Sequence, residues 1–188
     1  MQATLKTARL HLRPLTEDNF EDMLLLNSDP AVLKYIVGRA MTREEVVEEQ
    51  KCRLNYAVRV PGLGVWAGYF EDEFVGTWTI GPQRVTDGEP DPKRGELGYR
   101  LRSKFWRRGL AKEGAKEVLR HAFEDLKLSL IRGETMAVNA ASRATMEACG
   151  LEFVRVFHEK FDDPLPGTEQ GEAEYCITRE QWLAKQTK

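Results

Sequence analysis

Residues 105–114 combine a turn, cationic side chains and the start of a helix. The turn is centred on Gly109. After it, apolar residues recur at the spacing of an amphipathic helix: Ala111, Ala115, Val118, Leu119, Ala122, Phe123 and Leu126. The first turn of such a helix carries backbone N–H groups without intrahelical acceptors, at the positive end of the helix dipole. Because Gly109 and Ala111 are small, a phosphate could approach this backbone closely. The segment therefore predicts an anion site for a phosphorylated ligand.

Positive side chains are concentrated around this turn. They are Lys104, Arg107, Arg108 and Lys112, in a chain whose formal net charge is −2 and whose pI is about 6.0. The local positive potential is therefore not a by-product of composition, although a solvated basic face is the alternative interpretation. Nucleic-acid binding is not indicated, because the chain lacks the basic pI and the aromatic stacking platforms of such domains.

A second segment, residues 139–153, resembles a motif of a known family. It reads Asn139-Ala140-Ala141-Ser142-Arg143-Ala144-Thr145-Met146-Glu147-Ala148-Cys149-Gly150-Leu151-Glu152-Phe153. This is similar to the Asn-x-x-Ser-x-x-x-Leu/Met-Glu-x-x-Gly-Phe stretch of the GNAT superfamily of acyl-CoA-dependent N-acetyltransferases. The turn at Trp106–Ala111 is similar to that family's Gln/Arg-x-x-Gly-x-Gly/Ala pyrophosphate loop. The order and separation of the two motifs argue against coincidence.

Other parts of the chain resemble one branch of that family. Trp106 stands where many members have Gln or Arg, which is a feature of the RimJ/RimL branch, whose members acetylate protein N-termini. The opening of that branch is similar to Thr7-Ala8-Arg9-Leu10-His11-Leu12-Arg13-Pro14-Leu15, followed by Asp29-Pro30-x-Val32-x-x-Tyr35. The likeness runs from about Thr7 to Trp182. We therefore expect one RimJ/RimL-like GNAT domain over residues 1–188.

The resemblance implies which residues bind acetyl-CoA, the acyl donor. They are Tyr99, Leu101, Trp106, Arg107, Arg108, Gly109, Leu110, Ala111, Lys112, Asn139 and Ser142. In the family two central parallel strands splay apart, and the pantetheine arm enters the gap and pairs with the backbone of the fourth strand, here Glu96–Leu101. Gly98 in mid-strand is consistent with a bulge or a close backbone approach. Asn139 would bind the pantetheine amide or merely cap the helix that follows it.

Acetyl transfer to an amine needs an uncharged amine, a polarised thioester carbonyl and a proton for the departing thiolate. Glu96 is our candidate base, directly or through a water, and a carboxylate merely paired with Arg94 or Arg100 is an equal alternative. A backbone N–H near Tyr99 is expected to stabilise the oxyanion. The resemblance places the Ser142 hydroxyl near the CoA sulfur, where it can protonate or hydrogen-bond the thiolate. As the third helical residue, Ser142 could equally be a local cap.

Two aromatic residues are candidate acceptor contacts. Tyr35 belongs to a segment that in the family lies by the acceptor, although a packing tyrosine is the alternative. Trp66 could line the acceptor pocket, although its place on a hairpin strand also suits the core. The connections Gly81–Gly95 and Asp162–Gly171 are expected to shape this pocket.

The sequence gives no support to metal catalysis or to disulfides. The histidines and cysteines are widely separated and lack metal-ligand spacing: His11, His121, His158, Cys52, Cys149 and Cys176. No apolar run reaches 18 residues, and the start of the chain lacks the apolar segment of a secretory signal. We therefore expect reduced cysteines, no metal, no membrane association and a cytoplasmic location.

The order of predicted elements indicates the fold. Helices are predicted at Asp18–Leu26, from a Thr42/Glu45 capping box toward Asn55, from Gly109, and at Ala140–Cys149. Strands are predicted at Ala8–Arg13, Val65–Tyr69, Phe74–Ile80, Glu96–Leu101, Leu130–Ala137, Phe153–Phe157 and Glu174–Thr178. The central strand-helix-strand unit implies parallel neighbours, and the hairpins imply antiparallel ones. We expect an α/β fold of the GNAT kind, with a mostly antiparallel sheet, a central splayed parallel pair and helices on both faces.

The expected function is transfer of an acetyl group from acetyl-CoA to a primary amine, directly in a ternary complex. The branch resemblance favours a protein or peptide N-terminal amine, whose pKa of about 7.7–8.0 leaves neutral nucleophile near neutral pH, over a lysine at about 10.4. Acetylation of a small amine and non-catalytic acyl-CoA binding are the alternatives, and a homodimer is left open. The proline-rich acidic loop at Phe161–Glu174 has no counterpart that we can match in the protein-modifying members.

Overall fold

Eight strands form one sheet. They are β1 (Leu5–Lys6), β2 (His11–Pro14), β3 (Gly64–Phe70), β4 (Glu73–Pro82), β5 (Arg94–Leu101), β6 (Leu130–Met136), β7 (Glu152–Phe157) and β8 (Glu172–Thr178). The computed structural model describes residues 2–83 and 91–186, so residues 84–90 of the predicted connection Gly81–Gly95 lie outside the described residues, while its two ends belong to β4 and β5. The strand order is β1-β2-β3-β4-β5-β6-β8-β7. Within this sheet β5 and β6 are parallel and the other neighbours are antiparallel, which confirms the expected fold class.

Helices cover both faces of the sheet. They are α1 (Phe20–Asn27), α2 (Arg43–Leu54), α3 (Tyr56–Arg59), α4 (Leu110–Arg120), α5 (Ala140–Ala148) and α6 (Arg179–Gln186). The predicted capping box opens α2: Thr42 Oγ1 accepts from the Glu45 N–H at 3.3 Å, and the Glu45 carboxylate accepts from the Thr42 N–H at 2.8 Å. Each bond satisfies an amide that the helix itself cannot, so the helix begins at a defined residue.

The first predicted strand is shorter than expected. Residues 7–10 form a turn instead, in which the Thr7 N–H donates to the Leu10 carbonyl at 3.0 Å and the Leu10 N–H donates to Thr7 Oγ1 at 2.8 Å. The turn pairs β1, which the sequence did not predict, with β2. α3 and α6 were also not predicted.

Alternation along β3 divides the core between the two faces. Trp66 packs on the side of α4 and α5, whereas Val65 and Ala67 face α1 and α2. On the α4 side, Trp78 Nε1 donates to the Ala111 carbonyl at 3.0 Å, and a β-carbon at Gly114 would overlap the Trp78 ring. The missing side chain at Gly114 therefore lets α4 lie directly on the sheet, which fixes the turn that precedes it.

The two parallel strands stay together over a short distance. β5 and β6 are in register at Arg94 and Leu130, Gly95 and Ile131, and Glu96 and Arg132. Beyond Glu96, β5 pairs only with β4 among the described strands, and β6 pairs only with β8. A gap therefore opens between the carboxyl ends of β5 and β6.

Candidate active site

A cavity of about 990 Å³ lies where β5 and β6 diverge. Its wall includes residues 97–101 of β5, residues 134–136 of β6, the turn before α4 and the start of α5. With the exception of Arg108, every residue predicted to bind the acyl donor lines this cavity. The fold thus brings the two sequence motifs to opposite sides of one cleft.

The turn before α4 has the backbone geometry of an anion site. Gly109 is the N-cap of α4 with φ of 76°, and Arg107 has φ of 59°. Both angles lie in the left-handed region, which favours glycine and strains other residues. Arg9 supports the turn from outside, because its Nη1 donates to the Arg108 carbonyl at 3.1 Å and its Nε donates to the Glu113 carboxylate at 2.7 Å. The first amides of α4 therefore begin at a fixed place beside the cavity.

The basic cluster around this turn divides into two pairs. Lys104 is ion-paired with Glu73, and Arg108 lies over the Phe70 ring at 4.7 Å from its centroid. Arg107 and Lys112 are exposed and line the cavity. Two of the four cations are therefore engaged within the protein, and the other two face the place that an anionic ligand would occupy.

Asn139 and Ser142 occupy the first turn of α5. Asn139 Oδ1 accepts from the Ser142 N–H at 3.3 Å, so the predicted cap is present. The Tyr99 hydroxyl reaches from β5 to the same turn: it donates to the Ser142 carbonyl at 2.9 Å and lies 3.3 Å from Ser142 Oγ. Burial raises the pKa of Tyr99 to about 12, so the phenol stays protonated at neutral pH.

Cys149 lies behind this turn and is buried. Burial raises the pKa of its thiol to about 11, so the thiolate is scarce at neutral pH. These properties fit a small buried thiol that packs in the core and not a nucleophile.

Glu96 lies at the last register pair before the strands separate, beside Arg132. It is half-buried, and it is not among the described residues that line the cavity. Of the two arginines considered as its partners, Arg94 is ion-paired with Asp91, and Arg100 Nη2 lies 3.1 Å from the Glu49 carboxylate. The assignment of Glu96 as base remains a prediction.

Four carboxylates that sequence reasoning missed line the cavity: Glu134, Glu159, Asp163 and Glu172. Glu134 is ion-paired with Arg132, whose Nε lies 2.8 Å from the Glu174 carboxylate. The sequence feature that could have revealed Glu134 is Arg132-Gly133-Glu134 within a predicted strand. Because residues two positions apart lie on the same face of a strand, Arg132 and Glu134 are neighbours there. The other three belong to a segment without a recognisable motif.

Two segments distant in sequence contribute to the wall of the cavity. One is residues 31–36, including Tyr35 and Ile36, and the other is residues 157–172, including Phe161 and Leu165. They meet at Gly38, where a β-carbon would lie 2.6 Å from Leu165 Cδ2. The predicted position of Tyr35 at a pocket wall agrees with this arrangement.

Trp66 does not share this position. Its side chain is fully buried, its Nε1 donates to the Ala3 carbonyl at 2.7 Å, and it lies outside the described cavity lining. The predicted contact between Trp66 and the acceptor is therefore not supported. Side chains alternate between the two faces of β3, and at this position the side chain packs in the hydrophobic core.

Comparison with known protein families shows to which family the chain belongs. Residues 9–152 match the family described as acetyltransferase (GNAT) domain. The chain belongs to the GNAT acetyltransferases. This GNAT protein is 46% identical to the FsC-acetyl coenzyme A-N(2)-transacetylase of Aspergillus fumigatus, over 98% of this chain and 80% of that one. On this basis it is an acetyl-CoA-dependent N-acetyltransferase.

Solved structures show the same fold at low identity. RimL, a ribosomal L7/L12 α-N-protein acetyltransferase in complex with coenzyme A, has a TM-score of 0.77 at 15% identity, covering 94% of this chain and 98% of that one. Spermidine N-acetyltransferase from Vibrio cholerae, in complex with CoA and spermine, has a TM-score of 0.74 at 16% identity, covering 94% and 99%. At these identities the likeness concerns the fold alone, so membership of the RimJ/RimL branch stays a prediction.

The residues of this GNAT protein fit acetyl-CoA. The left-handed Gly109 turn leaves no side chain over the start of α4, and Arg107 and Lys112 stand beside it as positive charges. The cavity then continues along the open side of β5 to Ser142. When bound, acetyl-CoA supplies the thioester-activated acetyl group.

Within residues 2–83 and 91–186, no group of three or more His, Cys, Asp or Glu side chains is arranged to hold a metal ion. In those residues of the GNAT protein, no helix is both long and apolar enough to span a membrane.

Proposed function

We propose that this GNAT acetyltransferase acetylates the α-amine of a small acceptor derived from an amino acid. The observation that carries the proposal is the contact of Leu165, which lines the cavity, with Gly38, which follows the other lining segment at residues 31–36. The name of the Aspergillus fumigatus relative supports it, because in amino-acid numbering N(2) is the nitrogen on the α-carbon. A protein N-terminus, favoured by the branch resemblance, is the second candidate and presents the same kind of amine.

The contact between Leu165 and Gly38 favours an acceptor that is small enough to fit within the cavity. This contact joins the two segments that contribute to the wall of the cavity. Asp163 adds an electrostatic attraction to Arg39 across the same junction. A folded protein substrate would have to pass its N-terminal segment beneath this junction, whereas a compact molecule can lie under it.

Charge along the cavity favours a cationic acceptor. Glu159, Asp163 and Glu172 belong to the segment at residues 157–172, whereas the exposed cations Arg107 and Lys112 lie at the α4 turn. Two other charged residues of the lining are ion-paired, Glu134 with Arg132 and Arg100 with Glu49. Carboxylates lining a cleft raise the local concentration of positively charged ligands. The cleft is thus polarised, with its positive end suited to phosphates and its negative end suited to an ammonium group.

We propose the following chemistry for the transfer. Glu96 takes the proton from the acceptor ammonium, directly or through a water. The freed nitrogen bonds to the thioester carbonyl carbon while a backbone N–H near Tyr99 stabilises the charge on the oxygen. As the carbon–sulfur bond breaks, CoA leaves as a thiolate whose sulfur accepts a hydrogen bond from Ser142 Oγ, and the remaining extra proton on the nitrogen is lost to water. A weak carboxylate base suffices for an α-amine, because about half of such amines are already neutral near pH 7.7–8.0.

Two isomeric acceptors test this proposal. One is a lysine methylamide acylated on its side-chain nitrogen, and the other is acylated on its α-nitrogen. The isomer with the free α-amine should have a kcat/KM at least tenfold higher near neutral pH, since the neutral fraction of its amine is roughly 300-fold larger than that of a lysine side chain. Release of CoA is the measurement.

Other outcomes of this assay would contradict the proposal in recognisable ways. Preference for the free side-chain amine would overturn the α-amine assignment. A longer peptide used as well as the small α-amine would favour the protein N-terminus. Binding of acetyl-CoA without turnover of any amine would favour a non-catalytic module.

Ser142→Ala is expected to lower kcat by about tenfold to hundredfold with little change in acetyl-CoA affinity. The reason is that a hydrogen bond to the charged thiolate, about 1.5–3 kcal/mol, forms mainly in the transition state. Steady-state kinetics and calorimetry measure the two quantities. Ser129→Ala is the matched control, because it removes a serine hydroxyl that donates to the Lys93 carbonyl at 3.0 Å and lies at the end of β6 opposite to Ser142. A loss confined to acetyl-CoA affinity would leave Ser142 as a cap or ligand contact.

A further inference from the structure

Tyr99 and Ser142 meet across the gap between β5 and β6. Tyr99 lies three positions beyond Glu96, the last residue of β5 that is in register with β6. Its side chain lines the cavity, and its hydroxyl contacts the first turn of α5. The phenol therefore joins the two sides of the cleft at the level of the residue assigned to the sulfur.

The phenol makes two different contacts with Ser142. The Tyr99 hydroxyl donates a hydrogen bond to the Ser142 carbonyl at 2.9 Å, and this bond connects the first turn of α5 to β5. Its oxygen lies 3.3 Å from Ser142 Oγ and can accept the serine proton. Together the contacts restrict both the helix turn and the rotation of the serine hydroxyl.

Such restriction matters when negative charge develops on the sulfur. A serine hydroxyl held near its working orientation loses less freedom when it turns its proton to the sulfur. A hydrogen bond to an ionised acceptor is also about twice as strong as a neutral one, so the serine proton should leave the phenol for the thiolate. Of its two contacts with Ser142, the Tyr99 hydroxyl then keeps only the hydrogen bond that it donates to the Ser142 carbonyl.

We propose that Tyr99 is a positioning residue that holds Ser142 for hydrogen bonding to the CoA sulfur. The inference rests on the proposed role of Ser142. Tyr99 does not transfer a proton itself, because burial raises the pKa of Tyr99 to about 12, well above a thiol at about 8.5. Tyr99→Phe should therefore leave the shape of the pH–rate profile unchanged.

Tyr175 provides a matched control for this proposal. It is a fully buried tyrosine on β8 whose hydroxyl also reaches α5, donating to Glu147 at 2.8 Å and accepting from Arg143 Nε at 3.0 Å. It does not line the cavity. Tyr175→Phe thus removes a tyrosine anchor of the same helix without touching Ser142.

The test follows the ionisation of the CoA thiol in the binary complex, which requires no acceptor. The ultraviolet absorbance of the thiolate, followed against pH, gives the pKa of the CoA thiol. This pKa should be about one pH unit lower in the wild-type complex than in free CoA, a difference that corresponds to the free energy of one charge-assisted hydrogen bond to the thiolate. Tyr99→Phe and Ser142→Ala should each remove most of this difference, and Tyr175→Phe should keep it. An unchanged thiol pKa in Tyr99→Phe, or an equal loss in Tyr175→Phe, would overturn the inference.

Turnover gives a second and independent readout. Tyr99→Phe should lower kcat about tenfold with KM for acetyl-CoA within twofold of the wild type. The substitution should have little further effect in a Ser142→Ala background, because the phenol acts through the serine. Additive losses in the double variant would contradict the proposal. Failure of the proposed function has another signature: the wild type would turn over no amine even while the thiol pKa responds to Tyr99.

Discussion

Gly109→Val is expected to bind acetyl-CoA at least tenfold more weakly than the wild type while remaining folded. The nearest atom to a β-carbon there is Arg9 Nη2 at 3.6 Å, so space is available and backbone conformation decides the outcome. At φ of 76° a β-branched residue is strained, and the chain relieves the strain by moving the turn. The donated hydrogen bonds to phosphate, about 1.5–3 kcal/mol each, then lose their geometry. Calorimetric titration with acetyl-CoA measures the change.

Gly150→Val is the matched control for this prediction. Gly150 has φ of 94° after α5, its β-carbon would also meet only ordinary contacts, and it does not line the cavity. The Gly150→Val protein should have a lower thermal stability than the wild type, as the Gly109→Val protein should, but its affinity for acetyl-CoA should be unchanged. Undiminished acetyl-CoA binding by a folded Gly109→Val protein, or an equal loss of affinity in Gly150→Val, would contradict the assignment of this turn as the phosphate-binding site.

Glu96→Gln should lower the rate of acetyl transfer by about 100-fold below the pKa of the acceptor amine. General base catalysis typically contributes 10²–10⁴-fold, and it is needed most where the amine is protonated. As the pH rises through about 7.7–8.0, free amine accumulates and the variant should recover part of the rate. A pH–rate profile with a small α-amine acceptor measures both effects.

Glu134→Gln is the comparison that decides between carboxylates, because Glu134 lines the cavity directly. If Glu96 is the base, the pH-dependent loss belongs to Glu96→Gln, and Glu134→Gln changes mainly the acceptor KM. Wild-type rates for Glu96→Gln at every pH would reject Glu96. The same profile in Glu134→Gln would then assign the proton transfer to Glu134, and its absence from both would assign it to bulk water.

The donor half of the site could be predicted because local rules determine it. Gly109 before an amphipathic run, and Asn139 before Ser142, each specify a helix start through short-range backbone chemistry, and the structure has both. The gap that joins them was implied by the family resemblance, because periodicity reports which face of a strand is buried and not where two strands part.

The acceptor half could not be predicted in the same way. It depends on contacts between residues far apart in sequence, such as Gly38 and Leu165, and neither segment carries a motif. Trp66 shows the corresponding error: a large aromatic residue on a strand suits a pocket wall and a core equally well, and only the packing of α4 on the sheet distinguishes them. The contact between Tyr99 and Ser142 was missed for the same reason, since 43 positions separate the two residues.

The divergence of β5 and β6 also links folding to metabolism. Three register pairs join the two parts of the sheet, and the open strand edges beyond them face the cavity that we propose binds acetyl-CoA. A ligand that binds only the folded chain stabilises it by RT ln(1 + [L]/Kd), about 2.7 kcal/mol at a hundredfold excess over Kd. The free energy of unfolding therefore depends on the cellular concentration of acetyl-CoA, and depletion of the donor lowers the resistance of the enzyme to unfolding as well as its turnover.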